Sequence, residues 1–248
     1  MNNFNLNNYI LLLDSLIKAN YKFYKFQDAL EGKECQSYVI LRHDIDFSLD
    51  YVLDFAQVET QKNIGSTFFF HLRSPLYNLL SEEGRRILGT LYNAGHDVAL
   101  HFDLSLCDDQ ISWNLKKELL IIKEFFPFAN TNIVSFHRIG NLARSLQELR
   151  LFDYVRHTYD KKFFIDISYF SDSKGQWGSY GYPLESSVFK KRGSMQILTH
   201  PLWWVENGNT PMEKLSNLIS RTRNESIRRI ESSAITFSLK ELHTNQLD

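Results

Sequence analysis

Six places in the sequence set a charged or imidazole side chain just where an apolar run stops. Asp44 and Asp46 close SYVILRHDID, and His71 and Arg73 follow STFFF. His101 and Asp103 close DVALHFD, and His137 and Arg138 close NIVSFHR. Asp172 follows FFIDISYF, and His200 follows MQILT. Asp44 and Asp46 are two residues apart, so in a strand they share a face. Two carboxylates side by side repel, and a metal ion or one shared proton is the usual means of holding them. Imidazole with carboxylate is a donor set for divalent transition metals, and both groups also move protons near neutral pH. One histidine at a strand end is more often structural than catalytic. Recurrence on this many strand ends is hard to assign to core packing.

Such side chains can meet only if the strands end on one side of the molecule. Residues 37–46, 66–72, 97–102, 132–137 and 195–199 are continuous apolar runs, as expected of strands buried on both faces. One or two more strands are expected within 151–170. Helical periodicity lies between them. An amphipathic helix is read over 8–30, with Leu11, Leu12, Leu13, Leu16 and Ile17 as its stripe. Ser48 is read as the cap of a helix through Lys62, stopped by Gly65. Ser81, with Glu82 and Glu83 behind it, opens a helix to Asn93-Ala94-Gly95. Asp108 opens another to about Phe126, before Pro127; short and long helices follow at 142–149 and 211–230. Residues 171–194 read as a loop. Strands alternating with helices predict an α/β fold with a mostly parallel sheet closed into a barrel. The strand C-termini then share one face, where such barrels carry their chemistry. No linker interrupts the pattern, so one domain over 1–248 is expected, with the helix 8–30 packed on it.

The totals narrow the class. The chain has 248 residues and is 43% apolar, enough for a sizeable core. A net charge of -1 argues against a nucleic-acid partner, which calls for a clearly basic surface. Cys35 and Cys107 share no short motif, which points to a reducing compartment. MNNFNLNNY lacks the basic and apolar regions of a signal peptide, and no stretch reaches the ~18 apolar residues of a membrane span. A cytoplasmic protein is expected. The 19 Phe, 12 Tyr and 4 Trp supply a core and also faces that stack on sugar rings.

In this order, LRHDID, GHDVALH, SFHRIG, SDSKGQW and LTHP resemble the five motifs of the NodB-type polysaccharide deacetylases, the family 4 carbohydrate esterases. The similarity spans about residues 38–204. It implies an irregular (β/α)7 barrel and metal-dependent hydrolysis of an N-acyl group on an amino sugar. By the same resemblance Asp44 is the catalytic base, Asp46 and His101 bind metal, and His200 is the general acid. Asp172 and Trp177 wall the substrate site and steady the base. The family places another histidine four residues after the His101 position, and here that residue is Ser105. His137, just before Arg138, is expected to replace it, giving Asp46, His101 and His137 around one divalent ion. Zn²⁺ comes first, with Fe²⁺, Co²⁺ or Ni²⁺ nearly as suitable. Arg138 is expected to orient Asp44 or hold His137, and Trp203 to form an apolar wall for the acyl group or a sugar face.

The implied substrate is a small nucleotide- or lipid-linked amino sugar of surface polysaccharide synthesis, carrying an acetyl or a formyl group. The metal-free alternative is a sugar-binding barrel without catalysis, which Ser105 supports. An iron- and oxoacid-dependent oxygenase is a third reading, since His101-x-Asp103 and a distant His200 mimic its ligand pattern. That fold is a jelly roll, which the long helices contradict. His43 and His71 are read as hydrogen-bonded behind the site, His96 as structural and His157 as a surface residue.

Overall fold

The computed structural model describes residues 4–33, 37–106, 111–139, 154–179 and 181–233. Its centre is β2 (Tyr38–Ile45), buried along its whole length. Around it stand β1 (Lys22–Tyr24), β3 (Thr67–Phe70), β4 (Asp97–Asp103), β5 (Ile133–His137), β6 (Arg156–His157), β7 (Ser168–Ser171) and β8 (Met195–Thr199). The order is β6-β5-β4-β3-β2-β8-β7, with β1 paired to the start of β2. Every ladder is parallel. With helices between the strands, this curled sheet is an irregular (β/α)7 barrel.

Among the described residues no ladder joins β6 to β7. Side chains cross that seam from the inside. Gln196 on β8 donates through Nε2 to the carbonyls of Thr158 (3.1 Å) and Phe163 (2.7 Å). Arg42 on β2 reaches the Tyr159 hydroxyl at 3.3 Å, its guanidinium 4.9 Å from the ring centre.

The register explains the layering. Parallel pairing sets Arg42 beside Thr67 and Asp44 beside Phe69, and sets His101 beside Ser135. One end of the barrel is plugged by Phe26, Ile40, Phe69, Ala99, Ile133 and Phe163. Each large apolar side chain there contributes about 1.5–3 kcal/mol by leaving water. Further along the same strands the residues turn polar, and the strand ends carry the site.

The helix read over 8–30 is three elements. α1 (Leu6–Lys18) ends at Ala19, where Asn20 takes a left-handed φ of 59° and the Tyr21 N–H closes on the Leu16 carbonyl. β1 and α2 (Phe26–Leu30) follow. β1 leaves the helix because β2 offers it a ladder. The helix read over 48–62 is shorter, α3 (Val52–Thr60), and Ser48 does not cap it. The Ser48 hydroxyl instead donates to Asp50 Oδ2 at 2.7 Å. α4 (Glu82–Asn93) starts as expected, with Ser81 Oγ accepting from the Gly84 N–H at 3.1 Å. α5 (Ile111–Phe125) follows β4. After α6 (Lys161–Phe164), the described part of 171–194, read as loop, holds two 3₁₀ turns, Ser173–Gly175 and Pro183–Glu185, and one short α-helix, α7 (Ser187–Lys190). α8 (Pro201–Val205) continues from β8. Cys35, Cys107, Asp108 and the helix read at 142–149 lie outside the described residues.

The chain divides into two compact units, Met1–Val205 and Glu206–Asp248. In the second, α9 (Pro211–Ser233) is anchored through Lys214, which donates to the Glu206 carbonyl at 2.5 Å. No described helix is long and apolar enough to cross a membrane.

Candidate metal centre

Four strand ends deliver one cluster. Asp46 follows β2, His71 follows β3, His101 lies in β4 and His137 ends β5. One ligand atom from each lies within 4.8 Å of all the others. Asp46 Oδ1 is 3.2 Å from His101 Nε2, 3.4 Å from His137 Nδ1 and 3.6 Å from His71 Nε2. That oxygen is buried, with no hydroxyl or backbone donor beside these imidazoles. His101 Nε2 and His137 Nδ1 face each other at 3.3 Å. The far nitrogen of His101 meets Ser135 Oγ at 2.5 Å, which fixes the ring and leaves Nε2 for the cluster.

The electrostatics agree with cation binding. Burial pushes His101 down to about 4, against the pull of Asp44, and burial also lowers His137. Both imidazoles are therefore neutral at pH 7, with lone pairs to offer. Burial works to raise Asp46, but the His101 and His71 contacts and the nearby His200 hold it well below the usual carboxylate range. A carboxylate oxygen without a hydroxyl or backbone donor, ringed by three imidazole nitrogens, is a fitting donor set for Zn²⁺ and for Fe²⁺, Co²⁺ or Ni²⁺.

Two titratable groups flank the cluster, each on its own support. Asp44 receives Arg42 Nε at 2.9 Å and Nη2 at 2.7 Å, a bidentate pair in which both residues are buried. Burial raises the Asp44 carboxyl, and Arg42 with His101 more than reverses this, so Asp44 stays ionised. Its Oδ2 lies 3.6 Å from His101 Nε2. His200 Nδ1 meets Asp172 Oδ1 at 2.6 Å, and the His200 backbone N–H also donates to that carboxylate. Trp204 Nε1 donates to Asp172 Oδ2 at 2.7 Å. Burial pulls His200 down, but Asp172 outweighs it and raises the imidazole to about 9. His200 is thus protonated at neutral pH, with Nε2 3.6 Å from Asp46 Oδ2.

The expected residues Asp44, Asp46, His101, His137 and His200 do come together. Three others stand elsewhere than expected. Arg138 donates neither to Asp44 nor to His137: it takes a left-handed φ of 58° and donates to Ser105 Oγ at 3.1 Å. The guanidinium on Asp44 is that of Arg42. Asp172 bonds His200 and Trp204 and makes no hydrogen bond with Asp44; it is fully buried. Trp203 offers no open wall, being 4% exposed and edge-on to Phe47 at 5.9 Å. Trp177 is half-buried among Phe4, Tyr182 and Trp204, with ring centres 5.7, 5.7 and 6.0 Å away. Asp103 turns to the following loop, where Oδ1 accepts from the Ser105 N–H at 2.9 Å. His157 is buried, with Nε2 3.0 Å from Asp160 Oδ1.

The sequence reading places His71 behind the site, outside the ligand set, and gives Arg42 no role. His71 carries the same signal as its partners, an imidazole directly after an apolar strand. Arg42 is two residues before Asp44, so the alternation that pairs Asp44 with Asp46 also places Arg42 on that face.

No protein-family model and no curated protein matches the sequence. Solved structures do match it. The chitin deacetylase of Colletotrichum lindemuthianum is 15% identical with a TM-score of 0.47, over 75% of this chain and 83% of that one. A Streptococcus mutans CE4 esterase is 14% identical with a TM-score of 0.48, over 88% and 92%. The catalytic domain of a peptidoglycan N-acetylglucosamine deacetylase from Eubacterium rectale is 14% identical with a TM-score of 0.44, over 77% and 86%. The matched proteins are family 4 carbohydrate esterases and deacetylases.

Proposed function

We propose that the protein is a metal-dependent N-deacylase that removes an acetyl or formyl group from an amino sugar. The observation that carries this is the pairing of opposites around one carboxylate. A buried base, Asp44, is held ionised by Arg42, and a buried acid, His200, is held protonated by Asp172; both flank the Asp46 cluster. Amide hydrolysis needs both at once: a group that takes a proton from water and one that gives a proton to the departing nitrogen. Asp46, His71, His101 and His137 would hold the divalent ion, Zn²⁺ first. Such an ion acidifies water and polarises an acyl carbonyl. Asp44 accepts the water proton, and Arg42 keeps its oxygens aimed. His200 gives its Nε2 proton to the amine, while Asp172 and the Trp204 indole fix the ring. Trp177, half-buried, would stack on a sugar ring.

The narrower part of the proposal is a small nucleotide- or lipid-linked substrate inside the cell, in surface polysaccharide synthesis. Against the sugar-binding alternative stands His71, which fills the ligand set that Ser105 leaves short. Against an oxygenase stand the all-parallel sheet and Asp103, which turns to Ser105. The test is release of acetate or formate from N-acetyl and N-formyl sugar nucleotides and from short chitin oligomers, using protein loaded with Zn²⁺ or Co²⁺. Release from a sugar nucleotide supports the whole proposal, and release from oligomers alone removes its narrower part. No release by metal-loaded protein from any of them sinks the hydrolase.

A further inference from the structure

Tyr77 lies between β3 and α4, outside all five motifs. Its hydroxyl makes two bonds. It accepts from the His71 backbone N–H at 2.8 Å and donates to the Ile45 carbonyl at 2.7 Å. The last ladder pair between β2 and β3 is Ile45 with Phe70. One residue further on, the two chains carry Asp46 and His71. The phenol oxygen therefore stands between the two strands at the step where the pairing stops and the ligands begin. The loop that brings it there is pinned by Ser74, whose Oγ accepts from the backbone N–H groups of Leu76 (3.1 Å) and Tyr77 (3.3 Å).

A phenol inserted between two strand ends spaces them by two hydrogen bonds through one oxygen. Removing the hydroxyl leaves a buried N–H and a buried C=O to find each other or water. Either outcome moves the backbone of His71 relative to that of Asp46. At present His71 Nε2 is 3.6 Å from Asp46 Oδ1, the longest of the three imidazole contacts. His71 is also the ligand position that the five motifs do not supply. Unlike His101, whose far nitrogen is fixed by Ser135, His71 is seated through its backbone.

We propose that Tyr77 is a positioning residue for the metal centre, spacing Asp46 and His71 so that His71 serves as the fourth ligand. This rests on the cluster being a cation site. The test is titration of metal-free protein with Co²⁺ and, by chelator competition, with Zn²⁺. It compares the wild type, Tyr77→Phe, His71→Ala and the double variant. The wild type is expected to bind one equivalent. Tyr77→Phe is expected to bind one equivalent about 10- to 100-fold more weakly, the usual cost of losing an outer partner of a ligand. Its Co²⁺ visible absorption is expected to fall toward that of His71→Ala. In the His71→Ala background, Tyr77→Phe should change affinity little, because the ligand it seats is gone. Ser74→Ala, which loosens the turn seating Tyr77, should move affinity the same way by less, and serves if Tyr77→Phe does not fold. Wild-type affinity and spectrum in Tyr77→Phe overturn the inference alone, as does an equal loss with and without His71. Absence of any binding by the wild type overturns the cation site and this inference with it.

Discussion

The two faces of β2 carry the same kinds of residue and do opposite things with them. On the front, Asp46 meets His71, His101 and His137. On the back, Glu59 meets His43 and His96. Glu59 is fully buried and well supplied with donors. Tyr9 and Ser66 give it hydroxyl hydrogens, Ser66 at 2.6 Å, and His43 Nε2 lies 2.9 Å away. His43 also meets Thr199 at 2.7 Å, tying β2 to β8, and Thr60 meets His96 at 3.1 Å. Asp46 Oδ1 has three imidazole nitrogens around it at 3.2, 3.4 and 3.6 Å, and no hydroxyl or backbone donor. Its side chain is 13% exposed and that of His137 is 23%, whereas His43, Glu59 and His96 are at 0%. Histidine and carboxylate in contact therefore do not mark a site by themselves. The mark is an acceptor left short of donors at an opening. Among the described residues only the front group has the spacing of a metal site.

The sharpest way to break this contrast is to remove one carboxylate from each face. Asp46→Ala should drop metal content from near one ion per chain to near zero. Turnover should fall on the order of 10³-fold or more, the loss of several kcal/mol of transition-state stabilisation. Elemental analysis and product release check both, and full metal retention would falsify the role of Asp46. Glu59→Ala should act the other way round. It strands buried hydroxyls and imidazoles, so urea unfolding should show a loss of about 3–5 kcal/mol, while metal per folded chain stays near the wild-type value. Metal loss without destabilisation would erase the distinction between the faces.

Asp172→Asn sharpens the contrast through pH. The folded value of His200, about 9, lies above the ordinary 6.5. Its contribution to stability is therefore complete below pH 6.5 and is lost as pH rises through about 9. Metal-free protein should lose up to about 3 kcal/mol across that window, and the variant much less. In turnover, the alkaline limb set by His200 should move from near 9 toward 6.5 in the variant, read from a pH–rate profile. An unmoved limb separates His200 from the acid role. The smallest effect belongs to Arg138→Ala. Arg138 is exposed and bonds Ser105, not Asp44, so turnover should stay within about 3-fold, as for other exposed charges. Arg42→Ala, by contrast, leaves Asp44 buried without its partner and should cost far more.

Much of the fold is legible in the chain because the signals are local. Continuous apolar runs mark β2, β3, β4, β5 and β8, and alternation with helices gives the parallel order. The helix read over 8–30 goes wrong because β1 is only three residues long and owes its conformation to pairing with β2. In the site, Asp44 and Asp46 follow from period-2 alternation. His71 does not, because β3 is buried on both faces and its residues carry no inside–outside contrast. Only the register with β2 assigns its face, and register is a property of two strands. Position in a motif points to Arg138, but the left-handed backbone at that residue directs it to Ser105. Arg42 lies within reach of the alternation argument.

Nη2 of Arg42 touches both Asp44 Oδ2 and the Tyr159 hydroxyl, across the seam that no ladder closes among the described residues. The aim of Asp44, the proposed base, is thereby coupled to the closure of the barrel. A change that pries β6 away from β8, such as loss of the Gln196 crosslink, reaches the Asp44 carboxylate without touching it. Under the proposed function, residues along that seam hold a lever on turnover.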